Sequence, residues 1–371
     1  MRVGNIQDYN PFLHLPETWY LVDGSSPLID GYARTVIAVS PKSSHSDDNR
    51  YQAVFKRGPQ IYYMPPWEFD ELSKCRESVN IYRVVPMKLM EELYIKIGGV
   101  PRYVLQFPML ALYRGDTVSD AEEFAYYRIK CAIDQVKDVS KLLQSFSQAR
   151  ESLNYSSRLL HYWPINGGKN YTLKWASSHI EEKLVEHLTD QAWGNLLNQL
   201  AIKDGSINRG CMFELYVHHI FRKGSCEFEI KELGGSELGR LSVPKDPTIK
   251  FIKTPTELSG ETDGVLFIPS IPNFACIDFF LAPDKMFQVT VSPNHPIKME
   301  PFKTIVEKIA QKKKVPRLYF VVPGDIYCDF TPQNFLTTAG TVAKSPAASI
   351  RGIKQYALKI DLEGGLKKGG L

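Results

Sequence analysis

ACIDFFLAPDKMFQVTVSPNHPIK, residues Ala275–Lys298, decides how the rest of the chain is read. Two apolar runs, Ala275–Leu281 and Met286–Val291, flank a Pro-Asp turn, the pattern of two paired strands. Each run carries a polar residue that a buried strand disfavours, Asp278 in the first and Gln288 in the second. A buried carboxylate is costly unless a cation pairs with it. A divalent metal held by oxygen ligands recovers that cost. Paired as a hairpin, the two runs bring Asp278, Gln288 and the carbonyl of Val289 close together. A strand pair with one satisfied Asp and a solvent-facing Gln meets the same pattern.

Working outward, Lys298 and His295 lie where the second run gives way to a helix after Asn-His-Pro. One turn of that helix would return the Lys298 ammonium toward the strands. Upstream, Gly210–Phe221 (GCMFELYVHHIF) reads as an amphipathic helix on which Glu214 shares a face with Val217 and Phe221, so its carboxylate points at the sheet. A helix Glu, a strand Asp, a strand Gln and a nearby Lys fit metal-assisted phosphodiester hydrolysis, with Asp278, Gln288 and Glu214 as the ligands. Magnesium, or manganese in its place, keeps several waters and needs only one or two carboxylates.

The chain has 371 residues, 43% hydrophobic and 23% charged, which fits a globular protein of two or three units. No run approaches the ~20 apolar residues of a membrane helix, so no membrane partner is expected. The N-terminal segment lacks the apolar core and small-residue cleavage site of a secretion signal. Six scattered cysteines form no CxxC or CxxH cluster, which favours reduced, buried thiols in a reducing compartment and shows no zinc site. A net charge of +4 does not by itself indicate nucleic-acid binding. The locally basic KIAQKKKVPR holds Lys312, Lys313, Lys314 and Arg317 as candidate contacts to backbone phosphates.

The first unit reads as the downstream half of a nucleotide-binding α/β domain. TWYLVDG (Thr18–Gly24) is a strand ending in Asp23, RTVIAVSP (Arg34–Pro41) a second ending in Ser40, and Ile61–Met64 a third. Together they suggest a parallel sheet with helical crossovers. Asp23 would sit near Mg²⁺, and Arg102 in GGVPR would reach toward a γ-phosphate. The GxxxxGK[ST] loop that holds phosphates is absent, so ATP binding is doubtful and unaided hydrolysis is not expected. Residues 116–203 read as a helical lid with a small hairpin, similar to a winged-helix module. The order that follows is helix, strands, helix, strand, with Tyr356–Ile360 as an edge strand.

Three phrases, FELYVHHIFRKG (Phe213–Gly224), ACIDFFLAPDKMFQVTVSPNHPIK and RLYFVVP (Arg317–Pro323), lie in the order found in Crinkler-type effectors and retrotransposon hot spot proteins. YYMPPWEFDEL (Tyr62–Leu72) and GGVPRYVLQ (Gly98–Gln106) resemble the region before the nuclease in the same group. The resemblance implies an α/β chain with a truncated P-loop NTPase-like region over 1–115, the lid over 116–203, and a restriction-endonuclease-like αβββαβ domain of the PD-(D/E)xK superfamily over 204–371. It implies DNA as substrate, a host protein as a possible target, and delivery to the host nucleus; a dimer is plausible. Residue by residue, Asp278 takes the strand aspartate position, Gln288 the acidic position of the half-motif, Thr290 the usual lysine position, Lys298 the displaced lysine and Glu214 the helix glutamate; His295 joins them as a catalytic candidate. The departure is QVT in place of ExK: Gln lacks the charge to hold a metal strongly and Thr supplies no cation. A degenerate module that only binds DNA or protein remains the alternative, with a remnant nucleotide-dependent switch behind it.

Overall fold

A computed structural model describes residues 9–23, 27, 31–39, 51–147, 156–202, 207–258, 263–270, 274, 276–310 and 315–362. The expected Ala275–Val291 strand pair forms. Phe279–Leu281 (β9) and Lys285–Val289 (β10) run antiparallel, with Phe279 opposite Phe287. They lie within an eight-stranded mixed sheet whose other strands are Cys226–Glu232 (β5), Leu238–Val243 (β6), Thr248–Ile252 (β7), Val265–Pro269 (β8), Arg317–Pro323 (β12) and Gln355–Ile360 (β14). The order across the sheet is β6-β5-β14-β12-β10-β9-β8-β7. β10, β12 and β14 are mutually parallel.

The sheet has a helix on each side. Ile207–Lys223 (α8) covers one face, where Phe221 meets Phe279 at 5.2 Å and Phe287 at 5.0 Å between ring centroids. Met299–Ala310 (α9) covers the other, where Phe302, Ile305 and Ile309 are buried with Met286, Leu318 and Phe320. Alternation along β10 sets this division, because successive side chains of a strand point to opposite faces. Deleting a ring such as that of Phe221 from so closed a core costs about 3–5 kcal/mol.

The residues before α8 pack onto the same core. Helices Phe69–Ser78 (α1), Met87–Ile97 (α2), Phe107–Tyr113 (α3), Val118–Asp134 (α4), Val139–Ser147 (α5), Ser178–His187 (α6) and Asp190–Leu200 (α7) surround a hairpin of Leu160–Ile165 (β3) and Asn170–Trp175 (β4). One cluster of buried side chains runs from Leu93 and Ile129 through Trp175 and Ile180 to Phe213 and Phe279.

Three readings of the sequence change here. Tyr356–Ile360 is an interior strand between β5 and β12. Its polar residues are accommodated there: Gln355 Nε2 donates to the Gln333 carbonyl, and Lys359 reaches Glu229 at 3.4 Å. Ile61–Met64 forms no strand. Its Tyr63 N–H donates to the Gly168 carbonyl, and the Tyr63 ring packs on Tyr162 and Tyr171 of the hairpin. Pro65 and Pro66 follow and have no N–H to offer a ladder. Within the helical lid expected over 116–203, the helices are interrupted at 135–138 and at 188–189. Trp19–Asp23 (β1) and Arg34–Ala38 (β2) do pair in parallel, as a two-stranded sheet.

Candidate functional site

Glu214 lies on α8 with its carboxylate directed at the sheet, and Asp278 lies just before β9. Both line one pocket of about 80 Å³. That is room for an ion with a few waters, each of which takes about 30 Å³ in the liquid. Asp278 is anchored at both ends: its N–H donates to the Phe287 carbonyl at 2.8 Å, and its Oδ2 accepts from the Val289 N–H at 2.6 Å. One carboxylate oxygen is therefore committed to the strand.

Three further ionisable side chains line the pocket: Lys174, Glu181 and His218. His218 stands one turn after Glu214 on α8, and residues four apart share a helix face. Glu181 comes from α6, whose position is fixed at its N-terminus. Ser177 caps the helix, accepting from the Ile180 N–H, and donates to the Lys96 carbonyl of α2 at 2.7 Å. Ser178 Oγ donates to the Pro269 carbonyl at the end of β8 at 2.6 Å. Lys174 sits on β4 between Leu173 and Trp175. Both neighbours bond to Cys211 of α8: Trp175 Nε1 donates to its carbonyl, and its Sγ donates to the Leu173 carbonyl.

Glu181, Glu214 and His218 offer one ligand atom each, all within 4.8 Å of one another. Two of these side chains are almost wholly enclosed, at 4% exposure for both Glu181 and His218. Glu181 Oε1 is buried without a hydrogen-bond partner. His218 Nδ1 is 3.1 Å from Glu181 Oε2 but lacks the alignment of a hydrogen bond. Unpaired polar atoms converging in a protein interior are expensive, and a cation shared among them would satisfy all three. The charges agree: Glu181, Glu214 and Asp278 against Lys174 leave two negative charges for a divalent ion to neutralise.

The titration behaviour has the same origin. Burial, then the Asp278 charge, pushes the Glu214 carboxyl up to about 7. Burial raises Asp278, opposed by the Val289 N–H and by Lys174. Burial, and after it Glu214, holds Glu181 well above the usual carboxylate range. Burial holds His218 well below its ordinary value, which keeps the imidazole neutral, the form that ligates metals.

The other expected site residues lie elsewhere. Gln288 is buried, and its backbone is in register with Phe320 of β12. Phe287 faces α8, so by alternation Gln288 faces α9 with Met286, away from Glu214. Its Oε1 has no hydrogen-bond partner. Thr290 is buried just past β10, its hydroxyl accepting from the Ser292 N–H at 3.0 Å. Lys298 is exposed in the short strand Ile297–Lys298 (β11), which precedes α9, and does not line the pocket. His295 donates its N–H to Gln333 Oε1 at 2.6 Å. Its imidazole is lowered to about 4, first by burial and then by the Lys174 charge. Arg317 is engaged by Asp284 in the β9–β10 turn, Nη2 to Oδ2 at 2.6 Å. Asp23 ends β1 exposed, and Arg102 is exposed at the start of a π-helical turn. Ser40, Lys312, Lys313 and Lys314 lie outside the described residues.

Of the residues the sequence singles out, Glu214 and Asp278 line this pocket, together with Glu181, His218 and Lys174, which it does not single out. The Glu214–His218 spacing was a usable signal. Glu181 and Lys174 had none, because only the packing of α6 and β4 onto the sheet brings them to the pocket.

Across 367 aligned residues, 95% of the chain, the sequence is 25% identical to Crinkler effector protein 15 of Phytophthora infestans. It is 24% identical to Crinkler effector protein 16 of the same organism, again over 367 residues and 95% of the chain. The chain spans about half the length of these relatives, 54% and 53% respectively. No family model matches the sequence, and no solved structure matches the chain.

Proposed function

We propose that the chain is a Crinkler-type effector whose C-terminal part is a divalent-metal-dependent phosphodiesterase acting on DNA. The near full-length likeness to two Crinkler effector proteins supports the effector role. The observation that carries the catalytic reading is the convergence of Glu181, Glu214 and His218, with Asp278 at the same pocket. Orphaned buried oxygen and nitrogen atoms fit a resident ion, and the imidazole among the donors favours Mn²⁺ over Mg²⁺. When bound, such an ion lowers the pKa of a coordinated water and offsets charge on the phosphate.

The chain's own residues do the rest. Glu181 and His218, fixed by their burial, would hold the ion with Glu214. Glu214, whose carboxyl burial raises to about 7, would ligate it in its ionised form. Asp278 orients through the Val289 N–H and leaves its second oxygen free toward the pocket. The basic stretch Lys312–Lys314 would hold the DNA backbone, with host nuclear DNA as the target. A restriction-endonuclease-like arrangement is compatible with the order α8, β8, β9, β10, α9, β12, with the metal ligands shifted from the strand half-motif to α6 and α8.

The test is cleavage of supercoiled plasmid by the full chain with Mg²⁺ or Mn²⁺, alongside Asp278→Ala. Cleavage by the wild type and its loss in the variant support the reading. No cleavage with either metal, or equal nicking by both proteins, removes it. A second reading, an effector that binds DNA or a host protein without cutting, is favoured by one observation: Gln288 and Lys298 do not line the pocket. It predicts salt-dependent DNA binding that survives EDTA and Asp278→Ala.

A further inference from the structure

We infer that Lys174, on the β3–β4 hairpin of the preceding helical region, is the cation that faces the scissile phosphate. The inference rests on the phosphodiesterase reading and goes beyond it by naming a catalytic residue outside the nuclease-like sheet. Transition-state charge on a phosphoryl group calls for a positive side chain beside the metal. The strand position that would carry it holds Thr290, whose hydroxyl is occupied by the Ser292 N–H. Lys298 stands exposed on β11. Lys174 is the cation that lines the pocket with Asp278 and Glu214.

Its placement is built. The bonds from Trp175 and Leu173 to Cys211 clamp β4 onto α8 on both sides of Lys174. The ammonium lies 5.3 Å from the centroid of the Trp163 ring, which steadies its stem. Among the described residues no carboxylate forms an ion pair with it, although three line the same pocket. An exposed ammonium that no carboxylate engages, beside a site that a divalent ion would neutralise, is available for a phosphate oxygen. Its part is electrostatic: the water oxygen bonds to phosphorus and gives one proton to solvent, the bond from phosphorus to the leaving oxygen breaks, and the departing oxygen takes a proton from solvent, with no proton leaving Lys174.

The experiment uses the full chain with Lys174→Met and Lys174→Arg, each checked for an unchanged thermal melt. Plasmid cleavage is measured under single turnover in Mn²⁺, and Mn²⁺ affinity is measured separately by calorimetry. The expected result for Lys174→Met is cleavage reduced about 100-fold or more. Its Mn²⁺ affinity should be unchanged or tighter, because a repelling charge has gone from beside the ligands. Lys174→Arg should recover most of the rate. Cleavage by Lys174→Met at the wild-type rate overturns this inference and leaves the phosphodiesterase reading standing. Lost cleavage accompanied by weakened Mn²⁺ binding also overturns it, since the lysine would then be shaping the metal site. No cleavage by the wild type with any metal removes both.

Discussion

Replacing Glu214 with glutamine should make the metal-free protein more stable at pH 8, not less. Glu214 lies beside Asp278 and Glu181, and burial, then the Asp278 charge, raises its carboxyl from 4.5 to about 7 against the opposing charge of Lys174. A carboxyl whose pKa rises on folding contributes its stabilisation below the unfolded value, near 4.5, and loses it as pH climbs through 7. At 1.36 kcal/mol for each tenfold change, the full displacement amounts to about 3 kcal/mol. Partial exposure of the side chain and local relaxation bring the expected cost to about 1–2 kcal/mol. Glutamine keeps the shape and drops the charge. In EDTA at pH 8 the Glu214→Gln protein should melt a few degrees above wild type, by about 2–4 °C per kcal/mol. At pH 5 the two should melt together. Mn²⁺ at a hundred times its dissociation constant stabilises the wild type by about 2.7 kcal/mol, and most of that gain should vanish in the variant. Scanning calorimetry at the two pH values, with EDTA or Mn²⁺, reads all four conditions. A variant that melts below wild type at pH 8 in EDTA, or that gains as much from Mn²⁺, would refute the reasoning.

Asp278→Asn should fold normally, because the amide oxygen still accepts from the Val289 N–H, yet cut plasmid at least about 100-fold more slowly; a near-normal rate would count against a role at the site. Asp284→Ala should cost about 1 kcal/mol of stability by freeing Arg317 in the β9–β10 turn, read from the denaturation midpoint. Arg317→Ala should leave DNA affinity unchanged in a salt titration, since its guanidinium is already engaged by Asp284; a reduced salt slope would restore it as a phosphate contact.

What the sequence disclosed followed from strong local patterns. The β9–β10 hairpin was plain because two apolar runs flank a Pro-Asp turn, and α8 because its apolar residues recur at helical spacing. Glu214 was found because it shares the apolar face of that helix. Gln288 was misplaced because both faces of β10 are buried: Met286 and Phe287 are each fully apolar, so alternation gave no sign of which face held the site. Lys298 was assigned to a helical turn, whereas Ile297 and Lys298 pair with Phe335 and Leu336 as a short parallel strand. Glu181 and Lys174 lie far from the strand motif in sequence. The Ser178–Pro269 bond and the Cys211 bonds bring them in, and such contacts leave no periodic trace. The third strand expected near Ile61 failed because packing against the β3–β4 hairpin outweighed its β propensity.

The central claim is that Glu181, Glu214 and His218 hold one divalent ion. Electron paramagnetic resonance of the full chain titrated with Mn²⁺, read for stoichiometry and for coupling to a ligand nitrogen, addresses it directly. One tightly bound ion per chain is expected, with a nitrogen coupling that disappears in His218→Ala and an affinity that falls at least about tenfold in Glu181→Gln. No binding at millimolar Mn²⁺, or binding that ignores both substitutions, would contradict it.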